Sequence, residues 1–284
     1  MLSIFQAILL GLLQGVSELF PVSSLGHSVI VPGLLGWRLD QNANYFLTFL
    51  VATHFATAFV LFLFYRRDWW RIITGMARSV RAREIHNADA KLGWLLVVST
   101  VPAGIAGILF EEEVKRFFVS PALVALFLVL NGILLFGAEF LRRKAKPGGD
   151  AKDADRRIAT ELSWGKSVKI GLMQVAALLP GFSRTGSTIS GGLLAGLSHE
   201  DALRYSFLLA TPIIGAAALL KLPELFASGG YEALDSAFVG ALSAAAGAYL
   251  SVRFLTKYFK TKTLAPFAIY CVLAGLAALV ILTV

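Results

Sequence analysis

Long apolar runs broken by short polar punctuation dominate the chain. A helix needs about 20 apolar residues to cross the hydrocarbon core. Four runs meet that length well: Tyr45–Tyr65, Leu92–Phe110, Ala122–Phe140 and Leu264–Val284. Leu203–Leu220 and Ser236–Leu255 qualify with less margin. Arg204 sits near the end of the first of these, where a long side chain can snorkel. The second is rich in alanine, glycine and serine, as close helix packing in membranes prefers. Six membrane-crossing helices are predicted.

Two further apolar regions are interrupted. Met1–Phe20 meets Pro21 and the polar stretch Val22-Ser23-Ser24-Leu25-Gly26-His27, then a short apolar run to Trp37. Lys169–Leu179 meets Pro180 and Gly181-Phe182-Ser183-Arg184-Thr185-Gly186-Ser187-Thr188, then a short run to Leu197. Non-helical backbone survives at membrane depth only where it lines a cavity or is buried in protein. Both regions therefore read as re-entrant helical hairpins with polar tips. The first is not read as a signal peptide: no basic residue precedes it, and Glu18 interrupts it without a small-residue cleavage pattern.

Composition turns this pattern into a class. Of 284 residues, 57% are hydrophobic and 15% charged, against about 25% charged in soluble domains; mean hydropathy is +0.71. A soluble globule would have too few polar side chains to cover its surface. The chain reads as an all-α integral membrane protein. The formal charge of +8 does not signal nucleic acid, because the basic residues form three blocks between apolar runs without interleaved aromatics. Cys271, the one cysteine, lies in an apolar run, so it reads as a small core residue that neither pairs nor builds a CxxC site.

The basic blocks orient the spans. Arg66–Lys91 carries seven Lys/Arg, Arg142–Lys169 nine and Arg253–Lys262 four; Arg38–Asn44, Glu111–Ser120 and Pro223–Asp235 carry one, two and none. Placing the first three in the cytoplasm satisfies the positive-inside rule at every connection. The first hairpin then enters and leaves from outside, the second from inside, and both termini lie outside. Each half reads as a hairpin plus three spans in opposite orientation, an inverted-topology repeat. The boundaries are 1–141 for the first repeat, with its hairpin at 1–37, and 166–284 for the second, with its hairpin at 166–197. A charged cytoplasmic linker, 142–165, joins them within one membrane domain.

Ionisable residues inside a membrane are costly and are functional suspects. The first tip offers Gln14, Glu18, Ser23, Ser24 and His27; Gln14 and Glu18, four apart, share a helix face. The second offers Ser183, Arg184, Thr185, Ser187 and Thr188. A guanidinium, hydroxyls and N–H groups opening a helix make an oxyanion cradle, while a carboxylate and an imidazole beside a serine supply base, acid and nucleophile. Together they point to phosphoryl transfer on a substrate that lies in the lipid.

Plainer readings compete. Intramembrane serines commonly back-bond to the preceding helical turn, and Glu18 and Arg184 could be a structural ion pair. His54 divides between a packed core histidine and a supporting partner of the site. His86 and His199 read as solvated, Glu111-Glu112-Glu113 as a solvated charge run, and Trp69 and Trp70 as an interfacial belt. Gly191-Gly192-Leu193-Leu194-Ala195-Gly196 lacks the preceding strand of a dinucleotide loop.

The segment from Gln14 to His27, Gln-Gly-Val-Ser-Glu-Leu-Phe-Pro-Val-Ser-Ser-Leu-Gly-His, resembles the first signature of the undecaprenyl-diphosphate phosphatase (bacitracin-resistance) family. The segment from Pro180 to Gly192 resembles its second, and Pro102-Ala103-Gly104-Ile105-Ala106-Gly107 also looks familial. The likeness covers nearly the whole chain. Here Gln14 stands where the family has Glu or Gln, and Thr185 where a second serine is common.

The resemblance implies hydrolysis of undecaprenyl diphosphate to undecaprenyl phosphate and inorganic phosphate, recycling the lipid carrier for cell-wall synthesis. It implies a multi-pass protein of the bacterial inner membrane with its site open to the periplasmic or outer side. A divalent cation, Mg2+ or Ca2+, is expected, as is bacitracin resistance, bacitracin acting by sequestering the substrate. Partners are then the polyprenyl diphosphate and membrane lipids; oligomeric state stays open, a homodimer being one arrangement. The expected catalytic set is Glu18, Ser24, His27 and Arg184. Ser23, Ser183, Arg184, Thr185, Ser187 and Thr188 are expected to bind phosphate, and Gln14 and Glu18 to orient the site or hold the metal. The nucleophile is open among Ser24, His27 and water. The alternative class is a transporter or flippase of a phosphorylated lipid or anion, which needs the cradle but no nucleophile.

Overall fold

The computed structural model describes residues 2–37, 39–40, 43–110, 113, 120–142, 153–227 and 234–283, with backbone only for 222–227. Every regular element among the described residues is a helix. Six are long and apolar enough to cross a membrane: α3 (Asn44–Phe64), α5 (Ala88–Leu109), α6 (Pro121–Leu141), α10 (His199–Ala227, apolar through Lys221), α11 (Leu234–Tyr258) and α12 (Ala265–Thr283). They coincide with the six predicted runs. Phe59, Ile108, Leu273 and Ile281, all more than half exposed, belong to the apolar belt that such helices turn toward lipid.

The interrupted regions fold as predicted breaks. α1 (Ile4–Ser17) and α2 (Ser24–Leu34) flank the first, and α8 (Trp164–Val175), a 3-10 turn (Ala176–Leu178) and α9 (Arg184–Leu194) flank the second. Small residues set how closely these short helices dock. A Cβ at Gly11 or Gly15 of α1 would fall on the backbone of Gly240 or Ala244 in α11. One at Gly171 of α8 would strike the Ser99 carbonyl and the Pro102 ring of α5. α6 and α12 meet the same way, Gly132 against Ala268 and Val272, Gly275 against Ala125 and Val129. Without a hydrophobic drive between helices in lipid, such backbone proximity is a main source of packing energy.

Two basic blocks are more structured than loops. Arg66–Ala82 is the amphipathic helix α4, which buries Ile72, Gly75 and Ser79 at helical spacing. Within the linker, Ala154–Glu161 forms α7, with Asp155 and Ile158 buried; residues 143–152 lie outside the described residues. Arg204 does not snorkel. Its Nε is 2.8 Å from Asp155 Oδ1 and its guanidinium 3.0 Å from Asp68, over the Tyr65 ring. Asp155 also takes Arg71 at 2.7 Å, and Arg157 forks onto Asp201. This ionic lattice ties α4, α7 and α10 together.

His199 is also not solvated: it stacks on Phe259 and lies 2.9 Å from Glu139, because the start of α10 is packed against its neighbours. His86 and Glu113 are exposed as expected, while Glu111 and Glu112 lie outside the described residues. Trp70 is 72% exposed, whereas Trp69 packs on the core. Cys271 is fully buried.

Candidate functional site

The two breaks meet, and the local chemistry that stops each helix also joins them. α1 ends at Ser17, and Pro21, without an N–H, cannot continue it. Ser23 then takes φ +68°, a left-handed conformation that is strained for a residue with a Cβ, and caps α2 by accepting from the Gly26 N–H. In the second tip Pro180 is followed by Gly181 at φ +111°, which only glycine adopts readily, and Ser183 caps α9 through the Gly186 N–H.

Each capping serine also reaches the opposite tip. Ser23 Oγ accepts from the Gly181 N–H at 3.2 Å, and Ser183 Oγ donates to the Phe20 carbonyl at 3.3 Å. Asn131, from the middle of α6, pins both: its Oδ1 accepts from the Ser183 N–H and its Nδ2 donates to the Pro21 carbonyl, each at 3.0 Å. Thr185 adds a bond to the Glu18 carbonyl oxygen at 2.9 Å. Buried polar groups that are mutually satisfied in this way rigidify a site.

At the junction stands the Glu18 carboxylate. Arg184 donates to its Oε1 at 2.8 Å; on Oε2 converge the Gln14 amide at 3.1 Å and the Ser24 hydroxyl, with His54 Nε2 at 3.5 Å. The second guanidinium nitrogen of Arg184, Nη1, is buried with no hydrogen-bond partner among the described residues, as is Gln14 Oε1. Beside this cluster opens a cavity of about 340 Å³. Its polar wall includes Glu18, Ser24, His54, Ser183, Arg184 and Lys221; Leu50, Val51, Phe182, Ile213 and Ala217 give it apolar walls. The arrangement offers a hydroxyl poised on a carboxylate, a guanidinium with a donor to spare, and an apolar surround able to take a hydrocarbon chain.

The sequence-predicted residues divide into two sets. Glu18, Ser23, Ser24, Ser183 and Arg184 line the cavity, and Gln14 stands behind Glu18. His27 does not join them. Its Nδ1 is 2.6 Å from the Ser23 carbonyl, its Nε2 is 2.7 Å from the Tyr270 hydroxyl, and its ring stacks on Tyr270 of α12. Three positions after Ser24 on the same helix, it falls on the face that packs against α12. Thr185, Ser187 and Thr188 are fully buried and are not among the residues that line the cavity; Thr188 bonds the Arg184 carbonyl and Ser206.

Asn131 and Lys221 escaped the sequence reading. A lone amide in the middle of an apolar run was the available signal for Asn131, and a single cation directly after Leu203–Leu220 was the signal for Lys221.

A protein-built cation site does not fit this donor set. Among the described residues no three His, Cys, Asp or Glu side chains converge. Among the described residues Glu18 is the one carboxylate that lines the cavity, and it already accepts from Arg184, Gln14 and Ser24, so a guanidinium offsets the charge a divalent ion would need. Hard cations need six or more oxygen ligands, and here they would have to come mainly from a phosphate-bearing ligand and water.

Known proteins share this chain's sequence over nearly its whole length. The family described as "Bacitracin resistance protein BacA" matches residues 7–277. An "Undecaprenyl-diphosphatase" of Mycolicibacterium paratuberculosis is 46% identical over 297 residues, covering 98% of this chain and 97% of that protein. An "Undecaprenyl-diphosphatase 2" of Burkholderia thailandensis is 43% identical over 279 residues (98% and 96%). One of the same name from Frankia alni is 42% identical over 330 residues (96% and 96%).

Proposed function

The chain belongs to the bacitracin resistance protein family, and from that premise we propose how its joined tips act on undecaprenyl diphosphate. The protein is a multi-pass membrane enzyme that hydrolyses this lipid to undecaprenyl phosphate and inorganic phosphate. One observation carries the assignment of the site: Ser24 and Arg184, one from each tip, share the Glu18 carboxylate at the wall of a cavity.

In this reading Ser24 Oγ is the nucleophile and Glu18 receives its proton. Arg184 Nη1 binds the terminal phosphate and offsets charge growing on its equatorial oxygens. Ser183 and Ser23 hold the two tips in register, and Gln14 orients Glu18 through its amide. Lys221 gives the cavity a second cation for an anionic head group. His27 braces the first tip against α12. The described side chains of this cavity do not build a cage for a magnesium or calcium ion, whose contribution, charge neutralisation, would have to come with the substrate. Bacitracin, by sequestering the diphosphate, competes with the enzyme for it, and faster consumption of the substrate confers resistance.

The tips are the ends of two re-entrant hairpins in an inverted repeat. Gly11 and Gly171, Gln14 and Gln174, Ser23 and Ser183, and Gly26 and Gly186 stand at one constant offset. The contacts correspond as well: both serines cap the helix that follows and cross to the other tip, and both early glycines let a short helix dock on a long one. With the basic blocks in the cytoplasm, both termini and the cavity mouth lie on the periplasmic or outer side of the inner membrane.

Phosphate release from a short-chain isoprenyl diphosphate tests the reading. Wild type should release phosphate, and Ser24→Ala and Arg184→Ala should abolish it. Equal background from all three proteins would favour a carrier.

A further inference from the structure

We propose that His54, not His27, is the acid–base residue of the reaction: it protonates the leaving lipid phosphate and later accepts a proton from the attacking water. The inference rests on the reading of this cavity as the phosphatase site.

Three observations carry it. His54 lines the cavity and His27 does not. His54 Nδ1 lies 2.8 Å from the Leu50 carbonyl, one helical turn back, and a carbonyl only accepts, so Nδ1 carries a hydrogen. The remaining nitrogen, Nε2, points into the site, 3.5 Å from Glu18 Oε2. With Nδ1 held by the Leu50 carbonyl, Nε2 is the nitrogen that can exchange a proton with groups in the cavity, and the proposed cycle starts with that nitrogen protonated. His27 has the opposite arrangement, since both its nitrogens are bonded to Ser23 and Tyr270 and neither faces the cavity.

The cycle then balances. In the first step Ser24 Oγ bonds to the terminal phosphorus, and the bond from that phosphorus to the bridging oxygen breaks. The serine proton goes to Glu18, and the Nε2 proton of His54 goes to the departing lipid phosphate. In the second step water attacks the phosphoserine, giving one proton to the now neutral His54. The bond from Ser24 Oγ to phosphorus breaks, Glu18 returns its proton to Ser24 Oγ, and phosphate leaves. Each group ends as it began. General acid–base catalysis of this kind contributes about 10²–10⁴-fold.

The test compares His54→Ala, His54→Gln and wild type in detergent, with a short-chain isoprenyl diphosphate and added imidazole. Glutamine can still hydrogen-bond Glu18 but cannot transfer a proton. The expected result is a fall in kcat of a hundredfold or more in both variants with KM within a few-fold of wild type. Imidazole should restore part of the rate to His54→Ala only, with unchanged thermal unfolding showing that both variants are folded. Near-wild-type kcat in His54→Gln would reduce His54 to a positioning residue and overturn the proposal. So would a small loss in His54→Ala, or a large loss that imidazole leaves untouched in a folded protein. Absence of phosphate release from wild type would instead defeat the phosphatase reading.

Discussion

Arg184 Nη2 lies 2.8 Å from Glu18 Oε1, joining side chains 166 positions apart. That contact occupies only one nitrogen of the guanidinium, and Nη1 is buried beside it without a hydrogen-bond partner among the described residues. A buried donor left unmet costs about 1–3 kcal/mol, a cost that a bound phosphate oxygen would remove.

Lysine at this position has one nitrogen and no fork. It can hold Glu18 or the phosphate, but not both in the planar arrangement. Arg184→Lys should therefore lose more than tenfold in phosphate release although net charge is unchanged. Near-wild-type turnover would mean that Arg184 is only a counter-ion to Glu18.

Asn131 joins the tips through two backbone groups. Asn131→Leu keeps the volume but strands the Ser183 N–H and leaves the Pro21 carbonyl only the weak Cys271 thiol donor. An unsatisfied buried group costs about 1–3 kcal/mol. Thermal unfolding should shift down accordingly, and phosphate release should fall because the tips lose their shared pin. An unchanged melting temperature would show that the tips do not depend on it.

Much of this was legible beforehand, because lipid imposes strong rules on backbone and charge. Six spans, two broken segments and their polar residues all follow from run length, proline and charge. The facing of side chains does not. His27 and His54 are equally polar letters in apolar surroundings, and only helix packing turns one toward Tyr270 and the other toward Glu18. The lattice of Arg204, Asp155, Asp68 and Arg71 joins distant segments, so no local pattern announced it. For the same reason the linker concealed α7, whose eight residues are stabilised by what they pack on.

That lattice is separate from the cavity, which permits a control. Asp155→Ala leaves the largely buried Arg204 and the half-exposed Arg71 with Asp68 as the carboxylate they still share. Removing one partner of a buried pair costs about 3–5 kcal/mol; with Asp68 still in place and Arg71 47% exposed, about 1–2 kcal/mol is expected here. The melting temperature should fall while KM for the diphosphate holds at temperatures where the protein is folded. A changed KM would tie the lattice to the site.

Helix docking gives a steric test. Gly15→Val would drive a side chain into the Ala244 carbonyl and displace α1, which carries Gln14 and leads into Glu18. Overpacking of this kind costs about 1–3 kcal/mol, and activity should drop with stability. Gly137→Ala on α6 meets nothing within 4 Å and should stabilise by about 0.5–1 kcal/mol, the difference between alanine and glycine inside a helix. Equal effects of the two substitutions would contradict the docking described.

The most direct measurement is a structure with a non-hydrolysable isoprenyl methylene-diphosphonate in the cavity. The terminal phosphonate should lie within hydrogen-bonding distance of both Ser24 Oγ and Arg184 Nη1, with the isoprenyl chain along Leu50, Phe182 and Ile213. A phosphonate held by one tip alone, or seated away from Glu18, would contradict the claim that the two tips grip a single phosphate.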